Sequence, residues 1–129
     1  MEAPAITSNK ITVMIADDHR LFADALEAIL STDGRFEIVG KAHDGESAVR
    51  LAGTTKPDVV LMDIAMPGVD GVEATKRIRR KQDSARVLML TGSNSRTDVA
   101  RAREAGAAAY VTKDRIAAQL IEAIRDLAA

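Results

Sequence analysis

The chain has 129 residues, which is one domain by length and enough to bury roughly two-thirds of the unfolded surface. Eighteen basic residues against nineteen acidic ones leave a formal net charge of −1, which argues against a general nucleic-acid or membrane-surface footprint. No cysteine is present, so there is neither a disulfide framework nor a thiolate metal site.

The N-terminal stretch Met1 to Lys10 carries Pro4 and polar residues but no apolar core of a secretory signal. No apolar run approaches the ~20 residues of a membrane span. The expectation is a cytoplasmic protein with no membrane partner. The first predicted strand, Ile11–Ala16, runs directly into Asp17-Asp18. A 3.6-residue stripe of Leu21, Phe22, Ala25, Leu26, Ile29 and Leu30 then predicts the first helix. Phe36–Ala42 reads as a second strand of mixed polarity, suited to a sheet edge. Asp44-Gly45 opens a short helix marked by Ala48, Val49, Leu51 and Ala52.

The third strand, Val59–Met62, is wholly apolar and ends on Asp63. Asp70 followed three residues later by Glu73 resembles a capping box, and the helix it opens turns Val72, Ala74 and Ile78 inward. Its basic cluster, Lys76-Arg77 and Arg79-Arg80-Lys81, reads as a solvated face and a cation-rich C-terminus. Val87–Leu90 forms the fourth strand and ends on Thr91. An alanine-rich helix from about Thr97 to Ala105 follows, with Val99 as its one sizeable anchor and Gly106 as its stop. The fifth strand, Ala109–Thr112, ends on Lys113. The last helix opens at Asp114 and carries the stripe Ile116, Ala117, Leu120, Ile121, Ile124 and Leu127, leaving Ala118 and Ala128 for a partner surface.

Five strand–helix units with short connections require parallel strands and right-handed crossovers. The expected fold is α/β: a doubly wound five-stranded parallel sheet, (βα)5, in strand order 2-1-3-4-5 with helices on both faces. Residues 1–9 are expected to be a tail and 10–129 the single domain, with no room for a second. Such sheets bind ligands at the C-terminal edge of the strands. Asp17, Asp18, Asp63, Thr91 and Lys113 would all gather there. Clustered carboxylates resist ionising together, and a hard cation such as Mg²⁺ relieves the conflict. A carboxylate beside that cation can accept a phosphoryl group as an aspartyl phosphate, while Lys113 and Thr91 serve its remaining oxygens.

The segments IADDH at Ile15–His19, LMDIAMPGVDG at Leu61–Gly71, LTGS at Leu90–Ser93 and YVTKD at Tyr110–Asp114 together resemble the receiver domain of two-component response regulators. The resemblance implies a phosphorylation-dependent switch in which Asp63 accepts phosphate from a sensor histidine kinase. It implies that Asp18 and Asp63 ligate Mg²⁺ directly, that Asp17 acts mainly through water, and that the backbone carbonyl of Ala65 completes the protein ligands. Thr91 and Tyr110 match the switch pair, and Lys113 matches the lysine that meets the phosphoryl group. ADDHRLF, EIVGKAHDGESAV and Lys113-Asp114 resemble the subgroup that carries a LuxR-type helix-turn-helix. DNA would then be reached only through an output domain outside this chain, with a homodimer as a candidate assembly. Ala65 and Gly92 depart from the usual pattern, and Ala65 bears on how long the phosphorylated state lasts.

Three other readings compete. A stand-alone receiver or a pseudo-receiver would act only through protein contacts, but pseudo-receivers tend to lose an acid, the Thr or the Lys. A Mg²⁺-dependent phosphohydrolase would space its two acids two apart after the first strand, whereas Asp17 and Asp18 are adjacent. A flavin site lacks a phosphate loop and stacking aromatics. No enzymatic turnover is therefore expected beyond the domain's own phosphoryl transfer and dephosphorylation. His19 is expected at the rim of the site and His43 in a loop.

Overall fold

The structure, a computed structural model, describes residues 10–92 and 96–129. The expected tail over 1–9, and Ser93 of the LTGS segment, lie outside the described residues. Strands β1 (Ile11–Ala16), β2 (Phe36–Ala42), β3 (Val59–Asp63), β4 (Arg86–Thr91) and β5 (Ala109–Thr112) alternate with helices α1 (Arg20–Ser31), α2 (Gly45–Thr55), α3 (Gly71–Lys81), α4 (Arg96–Glu104) and α5 (Ile116–Ala128). The strands form one parallel sheet in the order β2-β1-β3-β4-β5, as the strand–helix alternation predicts. Among the described residues, no helix is long and apolar enough to cross a membrane.

Each strand sends alternate side chains to opposite faces. Val13, Ile15, Val59, Leu61, Leu88, Leu90 and Val111 point toward α1 and α5, where they meet Leu26, Leu30, Ile116, Leu120 and Ile124. Met14, Ala16, Val60, Met62, Val87 and Met89 point toward α2, α3 and α4. The two layers differ in kind. Among the described residues, the α2–α3–α4 layer has seventeen buried members, of which eight are alanine and four methionine. Its opposite holds fourteen, with one alanine and no methionine. Branched aliphatic side chains fix the α1–α5 layer, whereas small and flexible ones leave the other more able to shift.

The caps follow the sequence. Asp44 Oδ1 accepts the Ser47 N–H at 2.8 Å, and Asp70 Oδ1 accepts the Glu73 N–H at 2.8 Å. Gly106, at φ +103°, ends α4 in the left-handed region, where a side chain would be strained. The basic end of α3 is solvated in part only. Arg79 turns back to donate to the carbonyls of Asp83 and Ala85, the latter at 2.8 Å.

Several expectations need correcting. Leu21 is 86% exposed and Ala25 is exposed too, because α1 buries the row Ala23, Leu26 and Leu30. Leu21 lies far around the helix from that row at 100° per residue. Ala117 is likewise exposed, since α5 faces the sheet with Ile116, Leu120 and Ile124. Val99 is only half-buried, and the buried anchor of α4 is Ala102. Strands β3 and β4 each run one residue further at their C-terminal ends than predicted, and β4 also starts one residue earlier, at Arg86, so Asp63 and Thr91 belong to the ladder.

Candidate functional site

Strand register brings the predicted residues to one level. Ala16 pairs with Met62, so Asp17 stands beside Asp63, the last residue of β3. Asp63 pairs with Leu90, placing Thr91 one step further along β4. Thr91 pairs with Thr112, and Lys113 follows it. A Cα fixed by backbone ladder hydrogen bonds has little freedom to leave its place, which suits a site of fixed geometry.

Asp17 is fully buried and Asp63 is 3% exposed. The Lys113 ammonium lies 3.3 Å from Asp17 Oδ2 and 3.4 Å from Asp63 Oδ2. Asp17 Oδ1 accepts the His19 N–H at 2.8 Å, and Asp63 Oδ1 accepts the Ala65 N–H at 3.3 Å. Burial, reinforced by the charge of Asp17, pushes the Asp63 carboxyl up to about 6, with Lys113 and the Ala65 N–H partly opposing the rise. Asp18 sits partly open beside them. Ala65 is exposed in the loop after β3 and, with Asp18, Met66, Pro67 and Arg101, lines a cleft of about 520 Å³.

Thr91 is fully buried at its strand end. Tyr110 is not part of the cluster. It is 39% exposed and lies on the outer side of β5, in a groove with Arg96, Val99, Ala100 and Arg103.

One carboxylate oxygen on each acid, Asp17 Oδ2, Asp18 Oδ1 and Asp63 Oδ2, is buried without a hydrogen-bond partner. Two of these oxygens share the single Lys113 ammonium and the third has only the His19 ring beside it, so three clustered carboxylates are under-compensated and a hard oxygen-seeking cation would add the missing charge. The donor set therefore fits Mg²⁺. Thermal denaturation should rise with Mg²⁺ and fall on chelation, by about 3 kcal/mol at a hundredfold excess over Kd. Asp18→Ala, which removes a partly exposed carboxylate from this candidate site, should abolish most of that rise while leaving the metal-free midpoint nearly unchanged.

Three contacts escape sequence reasoning. Phe22, assigned to the core stripe, places its ring centroid 4.6 Å from Lys113 Nζ, a cation–π distance. His43, expected only as a loop residue, brings Nδ1 within 2.9 Å of the Asp17 carbonyl. Arg101 of α4 reaches Asp70 Oδ2 at 3.3 Å, tying α4 to the cap of α3. No sequence spacing signals these, because each joins elements far apart in the chain.

Comparison with known proteins gives one consistent answer. Residues 13–125 match the model of the response regulator receiver domain. The chain is 40% identical over 123 residues to the transcriptional regulatory protein DegU of Brevibacillus brevis, covering 95% of this chain and 52% of that protein. It is 41% identical over 115 residues to the transcriptional regulatory protein LiaR of Bacillus subtilis, covering 89% and 54% respectively. The chain thus spans about half the length of the curated relatives it matches. In structure it is similar to the signal receiver domain of the response regulator NarL from Mycobacterium tuberculosis, with a TM-score of 0.88, 34% identity, and coverage of 93% of this chain and 97% of that one.

Proposed function

Because the chain belongs to the response regulator receiver domain family and is related to LuxR-type regulators, we propose that it is a phosphorylation-dependent switch whose acceptor is Asp63. Residues 10–129 form the receiver unit. The observation that carries this reading is the Lys113 ammonium set between two buried carboxylates, Asp17 and Asp63, at 3.3 and 3.4 Å.

The donor is a phosphohistidine of a sensor kinase. An Asp63 oxygen attacks phosphorus, a P–O bond forms, and the P–N bond breaks. Its electron pair returns to the donor imidazole, which takes up a proton from solvent. Ionised Asp63 is the nucleophile, and its raised pKa shows how strongly burial and Asp17 oppose that form. Asp18, Asp63 and the backbone carbonyl of Ala65 would hold Mg²⁺ directly, with Asp17 acting mainly through water, and the ion would supply positive charge against the anionic phosphoryl group. Lys113 moves from its carboxylate partners to a phosphoryl oxygen, and the Thr91 hydroxyl turns to another.

The second half of the switch is conformational. The Tyr110 ring turns inward behind Thr91 and leaves its groove against α4. That helix buries only Ala102 among its described residues and rests on the alanine- and methionine-rich layer. It is therefore the element with the least to lose by shifting. The altered α4–β5 surface then controls a DNA-binding output elsewhere in the full-length protein, or a second copy of the chain. The domain performs no turnover other than its own phosphoryl transfer and dephosphorylation, and it works in the cytoplasm.

Titration with Mg²⁺ and beryllofluoride, followed by amide resonances, tests the switch. Large shifts are expected at Thr91, Tyr110 and along α4, with α1 and the distal half of α5 little changed. Shifts confined to the loops around Asp63 would rule out the conformational step.

A further inference from the structure

Lys113 comes to the acids from a distant strand. It leaves the sheet one residue past β5, whereas Asp63 ends β3, two strands away and about 10 Å off at ladder spacing. Its flexible four-carbon stem crosses the end of β4 and gives up rotamer freedom in doing so. In the structure two carboxylates hold the ammonium, at 3.3 and 3.4 Å. Phosphoryl transfer to Asp63 ends that pairing, because the acids then serve a cation and a new P–O bond. The Phe22 ring, with its centroid 4.6 Å from Lys113 Nζ, is a third contact that the reaction leaves alone.

Resting on the reading of Asp63 as the acceptor, we propose that Phe22 is a positioning residue for phosphoryl transfer. Its ring face keeps the Lys113 ammonium over the site as it passes from the carboxylates to a phosphoryl oxygen, and so sets the rate at which Asp63 is phosphorylated. A ring face attracts a cation without carrying an anion's charge. A carboxylate at position 22 would compete with the phosphoryl group for the ammonium, and an aliphatic side chain would not attract it. The Lys113 side chain is 24% exposed, sheltered enough for such a contact to exceed its strength at an open surface.

Packing alone does not call for a ring at this place. The layer against which Phe22 is half-buried consists mainly of branched aliphatic side chains, and a leucine would join it as well. The start of α1 also aims Phe22 at its partner. Asp17 Oδ1 accepts the His19 N–H at 2.8 Å, fixing the first turn of the helix, while Asp17 Oδ2 faces Lys113. One carboxylate thus sets the position of both the ring and the ammonium.

The test times the labelling of Asp63 by acetyl phosphate and Mg²⁺ in the full chain, in the wild type, Phe22→Leu and Phe22→Tyr. Leucine keeps the apolar bulk but removes the ring, and should slow labelling on the order of fivefold. Tyrosine keeps the ring face and should stay within about twofold of the wild type. A second readout needs no variant. The Lys113 Cε protons, beside an ammonium over the ring, should resonate upfield of other lysines, and should stay there when Mg²⁺ and beryllofluoride are added. This ring-current shift decides the matter even if Phe22→Leu fails to fold. An unchanged rate in Phe22→Leu, a tyrosine variant as slow as leucine, or an upfield shift lost on adding beryllofluoride overturns the positioning role and leaves the acceptor standing. A wild type unlabelled at Asp63 overturns the two readings together.

Discussion

Asp63→Asn should lose phosphorylation altogether and, without metal, should be more stable than the wild type at neutral pH. The first result follows from replacing the proposed acceptor carboxylate with an amide of equal shape. The second follows from what burial costs. In the folded chain Asp63 keeps its proton up to about pH 6, whereas an unfolded aspartate releases it near 3.8. Between those values the native state binds more protons than the unfolded one, so stability falls as pH rises through the window. Above pH 6 the full penalty is in force, at about 3 kcal/mol for a shift of this size. An asparagine never ionises and escapes it.

Denaturation in a chelator, repeated from pH 4 to pH 7.5, checks this. The mutant's advantage should be absent near pH 4 and greatest above pH 6. Adding Mg²⁺ should narrow it by stabilising the wild type alone. A mutant less stable than the wild type at pH 7.5 would show that Asp63 is not strained by its surroundings.

The second large effect concerns a residue with no chemistry. A methyl group on Gly71 would lie 2.0 Å from the carbonyl oxygen of Asp63 and 2.9 Å from the Cα of Ile64. The first turn of α3 leans on the backbone of Asp63, and the Gly71 N–H donates to the Ile64 carbonyl at 3.0 Å. Backbone cannot yield as a flexible side chain can. Gly71→Ala should therefore cost about 3 kcal/mol or more, lower the midpoint by on the order of 10 °C, and weaken Mg²⁺ binding. Gly53→Ala provides the contrast. It lies within α2 with open space around it, so the added methyl should stabilise by up to about 1 kcal/mol.

Much of this architecture is legible before any coordinates. Apolar runs too short for helices and too uniform for an exposed sheet, each ending on a polar residue, require a buried parallel sheet with a polar edge. That pattern brings Asp17, Asp63, Thr91 and Lys113 together without reference to any relative. Helix faces are less legible where alanine or leucine appears on both sides of the stripe. Leu21, Ala25 and Ala117 satisfy the apolar pattern and still face water, because periodicity fixes the spacing of a face more sharply than its width. Contacts between distant elements carry no local signature. Phe22 beneath Lys113, and the imidazoles of His19 and His43 around Asp17, depend on how α1 and the β2–α2 loop meet the sheet edge.

The contrast between the two faces of the sheet was also out of reach of local patterns. Alanines and methionines are spread along the chain, and only topology collects them under α2, α3 and α4. The branched-aliphatic layer packs α1 and α5 beneath Asp17 and Lys113, while the alanine- and methionine-rich layer underlies α4, the helix proposed to respond.

Whether Asp63 is the acceptor is tested most directly by peptide-mapped mass spectrometry after incubation with acetyl phosphate and Mg²⁺. The expected result is one phosphoryl group per chain, in the peptide containing Asp63, and none when Mg²⁺ is chelated. Label at any other residue, or label at Asp63 that is indifferent to Mg²⁺, would contradict the assignment.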